Sequence, residues 1–328
     1  QALLSSLPPE WPHDPLPAIQ DQVRSANRRL VVLDDDPTGT QTVHDLWVLT
    51  NWQPDLLRAA LSSKSRTFYI LTNSRSLSER AARELNRQIA RNLSAAADSL
   101  GCELDVISRS DSTLRGHFPA EIDVLNTTLS SSLDCTFDGI VLCPFFLEGG
   151  RLTAQDVHWV ASGHRLIPAA QTEYARDAAF GYTASNLRAW VEEKSNGRIH
   201  SAQVHSISLD VIRKGGPQAV RRTLSEVREG RVVIVNAVTY RDLSVFVAGL
   251  LQAEREGQRF LFRTAASFVR VRAGISERPL LTRKEMIAPQ GTAGLVLVGS
   301  YVDKTTRQLR VAIKESPGLW TEELSVCQ

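Results

Sequence analysis

Four short stretches of this 328-residue sequence gather the residue types that do chemistry. The first is Asp34-Asp35-Asp36-Pro37-Thr38-Gly39-Thr40, the second Thr72-Asn73-Ser74-Arg75. The third is Ser108-Arg109-Ser110-Asp111-Ser112-Thr113-Leu114-Arg115-Gly116-His117, and the fourth runs over residues 144–151 and ends in Gly150-Arg151. Arg75, Arg109, Arg115 and Arg151 supply forked, permanently charged donors that match a carboxylate or a phosphoryl group. Asp35, Asp36 and Asp111 accept hydrogen bonds from vicinal hydroxyls, and one of them can take a hydroxyl proton during attack. Thr38, Asn73, Ser112, Thr113 and the backbone at Gly39 and Gly116 complete a small polar pocket. The mixture suits an anionic polyol. Each stretch alone has a plainer explanation: acids after a strand cap helices, arginines pair on surfaces, and Ser112 or Thr113 can serve as an N-cap. Their convergence would make them a site.

Convergence depends on the elements that carry them. Each stretch follows a strand-length apolar run: 30–33, 67–72, 104–108 and 139–143, with further strands at 46–50, 200–208 and 232–236. Helical patterns fall between them at 54–62, 76–100, 120–129 and 216–228, with Ser78 a plausible N-cap for the long one. This alternation predicts an α/β fold, a mostly parallel sheet with helices on both faces. Ligands of such sheets sit beyond the carboxyl ends of the strands, where all four stretches fall. Residues 1–26, with five prolines, predict an irregular arm and a short helix. The main α/β domain is expected over 27–277, a linker over 278–294, and the beginning of a second α/β domain over 295–328, with a strand at 295–299 and a helix at 305–314.

Bulk properties narrow the partners. A net charge of +2, with 42% hydrophobic and 23% charged residues, gives no reason to expect a nucleic acid or a membrane surface. Cys102, Cys135, Cys143 and Cys327 form no CxxC pair, which predicts buried or free thiols of a reducing compartment. The chain opens on Gln1 without a charged-then-apolar leader, and a cytoplasmic protein is expected.

Two chemistries fit the opening motif. Val31-Val32-Leu33-Asp34-Asp35-Asp36-Pro37-Thr38 matches the apolar-D-x-D-x-T pattern of haloacid-dehalogenase-like phosphatases. There Asp34 would attack phosphorus, Asp36 would act as general acid, and Mg²⁺ would screen charge. That chemistry also needs a lysine at a later strand–loop junction followed by an acidic pair, and no lysine here is so placed.

The second reading uses the whole chain, which resembles the four-carbon acid sugar kinase family. Asp35-Asp36-Pro37-Thr38-Gly39 is similar to its D-D-x-T-G opening, and Arg109 to Gly116 to its K-x-D-S-T-L-R-G signature. Further matches are the stretch ending in Gly150-Arg151, Thr172-Glu173-Tyr174-Ala175-Arg176-Asp177, and Phe262-Arg263-Thr264-Ala265-Ala266-Ser267-Phe268. The resemblance implies ATP-dependent phosphorylation of the terminal hydroxyl of erythronate, threonate or a 3-oxo form. It implies an amino-terminal domain for the sugar acid and a carboxy-terminal one for the nucleotide. It makes Asp36 the hydroxyl-orienting base, with Asp111 and Arg115 at the reacting centre. Asp35, Thr38, Gly39, Asn73, Arg75, Arg109, Ser112, Thr113, Gly116 and Arg151 would bind substrate, and Thr172, Glu173, Arg176 and Asp177 would line the same cleft. Ser300, in a stretch similar to the family's opening of the nucleotide domain, would approach ATP. The expected partners are a small anionic sugar acid and ATP with its Mg²⁺, with no protein-borne metal site and with self-association as a homo-oligomer allowed. Arg109 replaces the family's usual lysine and Pro37 a hydrophobic residue. No glycine-rich phosphate loop follows Ser300, so the chain as it stands is expected to be catalytically incomplete. A non-catalytic sugar-acid-binding homologue is the third reading.

Overall fold

A computed structural model describes residues 2–286, 294–300 and 302–324. The chain forms two units, Gln1–Arg278 and Pro279–Gln328. In the first, α1 (Ala2–Ser5) and α2 (Leu16–Ser25) lead into β1 (Arg28–Asp34), β2 (Trp47–Leu49), α3 (Pro54–Leu61) and β3 (Thr67–Leu71). Then come α4 (Glu79–Leu100), β4 (Glu103–Arg109), α5 (Ala120–Leu133) and β5 (Gly139–Cys143). Three short strands follow, β6 (Arg151–Ala154), β7 (Val157–Ser162) and β8 (Arg165–Pro168), and then α6 (Leu187–Lys194). The unit closes with β9 (His205–Ile207), α7 (Leu209–Leu224), β10 (Arg231–Val235), α8 (Tyr240–Arg255), β11 (Phe260–Thr264) and α9 (Ala266–Arg272). The second unit holds α10 (Arg283–Met286) and α11 (Asp303–Glu315).

Eight strands form one parallel sheet in the order β2-β3-β1-β4-β11-β5-β10-β9. Its strands lack polar alternation because both faces are covered. Leu30 and Val32 of β1 join the core under α2, α7, α8 and α9, whereas Val31 and Leu33 join the core under α3, α4, α5 and α6. The long helix α4 forms because Ser78 accepts from the Ala81 amide at its start and Gly101, at φ 59°, ends it in a left-handed turn. Its buried stripe of Ile89, Ala90, Leu93, Ala96 and Ala97 packs on the sheet.

Register decides the site. Asp34 pairs with Leu71 and Arg109, and Thr264 pairs with Arg109 and Cys143. The last residues of β3, β1, β4, β11 and β5 therefore share one rung. From β1 the chain first builds the β2–β3 side of the sheet and then crosses to β4 on the other side. The crevice between β1 and β4 is thus a topological switch point, where such sheets bind ligands.

Several elements differ from expectation. Residues 200–208 hold only the three-residue β9, and α7 begins at Leu209, capped by Ser208, instead of at 216. Gly216, at φ 63°, kinks that helix before Pro217. Strands β6–β8, which form a separate antiparallel sheet, were not anticipated from periodicity, nor were α6, α8 and β11. Residues 295–299 form no strand, while a helix does span Asp303–Glu315. Cys102, Cys135 and Cys143 are free thiols; Cys327 and residues 287–293 lie outside the described residues. Among the described residues no helix is long and apolar enough to cross a membrane.

Candidate functional site

At the carboxyl edge, acids and arginines from four loops interlock. Arg109, at the end of β4, pairs with Asp34 at the end of β1 and reaches the Asp36 carboxylate at 3.0 Å and the Asp36 carbonyl at 2.9 Å. Arg75 takes Asp35 and Asp36, each at 2.5 Å, and lies 4.0 Å from Asp111. Arg115 donates to Asp111 at 2.7 Å and stands 3.5 Å from Asp177. Thr38 gives its amide (2.8 Å) and its hydroxyl (2.6 Å) to Asp36, and Thr113 gives its hydroxyl to Asp111. The pair Arg109–Asp34 is buried and roofed by Gly39, where any Cβ would overlap both side chains. Gly116, at φ 112°, brings its backbone over Asp35, whose Oδ2 a Cβ would meet at 3.2 Å.

The acids differ in ionisation. Burial, with Asp35 and Asp36 adjacent, pushes Asp34 up to about 7 against the pull of Arg109. Asp36 is also raised by burial, but Arg75, Arg109 and the Thr38 hydrogen bonds outweigh this and hold it below the usual carboxylate value. Asp111 behaves likewise: burial opposes its charge, and Arg75, Arg115 and Thr113 bring it well below the ordinary range. Asp36 and Asp111 are therefore standing acceptors. The Asp34–Asp36 carboxylates offer atoms within 4.8 Å of one another, but the Arg75 and Arg109 guanidiniums stand against all three, and that positive charge does not fit a resident cation. The phosphatase chemistry fails at the same place. Asp34 is 1% exposed and held by Arg109, so its oxygens have no line of approach to phosphorus.

The remaining sequence candidates separate. Asn73 is exposed and left-handed at φ 50°; it shapes the turn that sends the Arg75 amide to the Asp35 carbonyl at 3.1 Å. Ser112 contributes its carbonyl to a buried histidine. Thr172 bonds the Ala169 carbonyl at 2.6 Å, and Glu173 and Arg176 are exposed without an ion pair among the described residues. Of these four candidates only Asp177 reaches the cluster, through Arg115. Ser300 accepts from the Thr305 hydroxyl at 3.1 Å and the Val302 amide at 3.5 Å, just before α11.

Four residues were not singled out. Tyr174 lies between two site arginines, its ring centre 5.3 Å from Arg115 and 5.4 Å from Arg151, and its hydroxyl accepts from Arg151 at 3.2 Å. Arg151 Nε is buried and has no partner among the described residues. His158, wholly buried in β7, bonds the Ser112 carbonyl at 2.7 Å and the Thr153 hydroxyl at 3.0 Å. Burial drops it to about 4, so the neutral ring donates through Nε2 and accepts at Nδ1. Tyr182 donates to the Thr113 carbonyl at 2.8 Å. Arg263, buried in β11, donates to the Arg115 carbonyl at 3.0 Å and stacks over Phe118 at 5.5 Å. His158, Tyr182 and Arg263 hold the loop 109–117 from beneath. The one sequence signal for Arg263 is its place in the stretch Phe262–Phe268 that carries the family resemblance.

Comparison with known proteins gives the family and the fold. Residues 30–272 match the model of the sugar-binding N-terminal domain family. Crystal structures of a Bordetella bronchiseptica domain of unknown function (DUF1537), domain-swapped dimers with bound citrate, are similar in fold. One is 22% identical with a TM-score of 0.56 over 74% of this chain and 55% of that one. A second crystal form gives 21%, 0.55, 76% and 57%. A Haemophilus influenzae protein assigned to the same family model is 18% identical, with a TM-score of 0.54, over 74% of this chain and 55% of that one. The chain thus spans a little over half the length of these structures. No curated protein sequence matches it. With its D-D-x-T-G and D-S-T-L-R-G loops joined at the switch point, the chain belongs to the sugar-binding N-terminal domain family.

Proposed function

We propose that this domain binds a short hydroxylated carboxylic acid at its carboxyl edge, as the acceptor half of an ATP-dependent kinase for four-carbon sugar acids. The observation that carries the reading is the contrast between its arginines. Arg75 and Arg109 are spent on Asp34, Asp35 and Asp36, and Arg115 is held by Asp111, whereas Arg151 rests on Tyr174 with no ion pair and an Nε without a partner among the described residues. The substrate carboxylate goes to Arg151 and Arg115, a charge-assisted pairing. Its hydroxyls go to the ionised Asp36 and Asp111. Asp36 then orients the terminal hydroxyl. A carboxylate held below its ordinary pKa is a weak base, which suffices where the transferring phosphoryl group passes through a loose transition state. ATP with Mg²⁺ supplies the phosphoryl group, and Ser300 is the candidate among the described residues to meet it; the chain spans a little over half the length of its structural relatives. The citrate held by the Bordetella protein is itself a hydroxylated polycarboxylate, and its dimeric state supports self-association here.

A thermal-shift panel of erythronate, threonate and their 3-oxo forms, with and without MgATP, tests the reading. Ligand at a hundredfold excess over Kd adds about 2.7 kcal/mol, a shift of several degrees. At least one sugar acid should stabilise the protein and MgATP alone should not. Stabilisation by MgATP alone, with none by any sugar acid, would contradict it.

A further inference from the structure

At the opposite end of the sheet a second cavity opens beneath the first residues of β1, β3 and β4. It holds about 150 Å³ and lies between α2, the ends of α8 and α9, and the strands. A cavity of about this size admits a molecule of roughly six heavy atoms. One wall is apolar, made by Val23, Leu30 and Leu251. The other is an ion-pair cluster: Arg272 bridges Asp105 and Glu254, and Arg28 pairs with Asp105 at 2.8 Å.

That cluster is incomplete. Three residues that line the cavity each keep a buried polar atom without a partner among the described residues: Gln22 Oε1, Glu254 Oε1 and Arg272 Nε. The Glu254 and Arg272 side chains are 6% and 5% exposed. A buried polar atom without a partner costs about 1–3 kcal/mol, and the three residues around this cavity leave two acceptors and one donor unanswered. A hydroxyl answers this set, its oxygen accepting from Arg272 and its proton going to Glu254, with a second hydroxyl donating to Gln22. Arg255, exposed and without an ion pair among the described residues, stands at the mouth with Arg66 and adds positive charge there.

We infer that this cavity is a second binding site, for a small hydroxy acid whose adjacent hydroxyls meet Gln22, Glu254 and Arg272 and whose carboxylate faces the cationic mouth. It lies at the amino ends of the strands and shares no residue with the carboxyl-edge cluster. Because Gln22 and Val23 belong to α2, occupancy would fasten the amino-terminal segment to the sheet.

Calorimetric titration with glycerate tests the site, using the Arg151→Met protein so that the carboxyl edge contributes no carboxylate grip. Saturable one-to-one binding is expected, weakened at least tenfold by adding Gln22→Leu and likewise by Glu254→Gln. Glycerol, which lacks the carboxylate, should bind at least tenfold more weakly. Gln22→Leu sits on an outer helix and should leave the melting temperature nearly unchanged, so it decides the matter if Glu254→Gln fails to fold. Absence of saturable heat, binding indifferent to both added substitutions, equal affinity for glycerol, or a glycerate-soaked crystal with only water in the cavity would each overturn the assignment.

Discussion

Arg109 and Arg151 carry the same guanidinium into opposite roles. Arg109 is 5% exposed and surrounded by three carboxylates, so it holds two loops together and has nothing left for a ligand. Arg151 rests on Tyr174 with a donor unspent. Gly39 sits directly over Asp34 and Arg109, and Gly39→Ala forces that pair apart. We expect a loss of about 1–3 kcal/mol in urea unfolding, the range for overpacking, together with weakened sugar-acid binding. A stability equal to the parent would mean the roof is not closed. Asp111 bears both on binding and on stability. Its contacts with Arg115, Arg75 and Thr113 depress its pKa below 3.8, so its contribution is present above that value and is lost as pH falls below it. Asp111→Asn should therefore abolish sugar-acid binding and also lower stability at pH 7 by about 1.5–3 kcal/mol, the worth of a charge-assisted hydrogen bond. Urea titrations at pH 7 and pH 3 check this: the gap between parent and variant should narrow at the lower pH.

The elements supply what single residues cannot, namely a floor under the loop 109–117. That floor comes from the β6–β8 sheet through His158 and from the connection after it through Tyr182. His158 stays neutral when folded but binds a proton below pH 6.5 when unfolded. Stability from this residue is thus full above pH 6.5 and falls as pH drops towards about 4, by an amount on the order of 3 kcal/mol. His158→Gln, which keeps one donor and one acceptor, should flatten the stability profile across that window; an unchanged slope would show that other groups set it. These strands were hard to read from sequence for a physical reason. The turn between β6 and β7 uses Gln155 and Asp156, both at positive φ (55° and 60°), where such turns ordinarily carry Asn-Gly or Asp-Gly. Without that signal the alternation in Val157-His158-Trp159-Val160 had no hairpin to belong to. Tyr174 was missed because its segment follows a short turn, with no strand end to mark it.

At the scale of the whole molecule, the sheet order explains why so much of the site was legible. Buried parallel strands announce themselves as unbroken apolar runs, and in this fold their carboxyl ends share one rung. The aspartates and arginines after β1, β3 and β4 could thus be grouped before any coordinates. What pattern alone withheld was the division of labour: which charges pair with each other and which remain for a ligand. That depends on burial and side-chain geometry across strands up to 150 residues apart, as with Arg263 reaching the Arg115 carbonyl (148 positions away). The most direct test of the central claim is a calorimetric titration of erythronate and threonate into the parent and into Arg151→Met. The account predicts saturable one-to-one binding of at least one of them to the parent, weakened about tenfold to a hundredfold in the variant, as befits the loss of a charged hydrogen-bond donor. Equal affinity in the two proteins, or no binding to either, would contradict it.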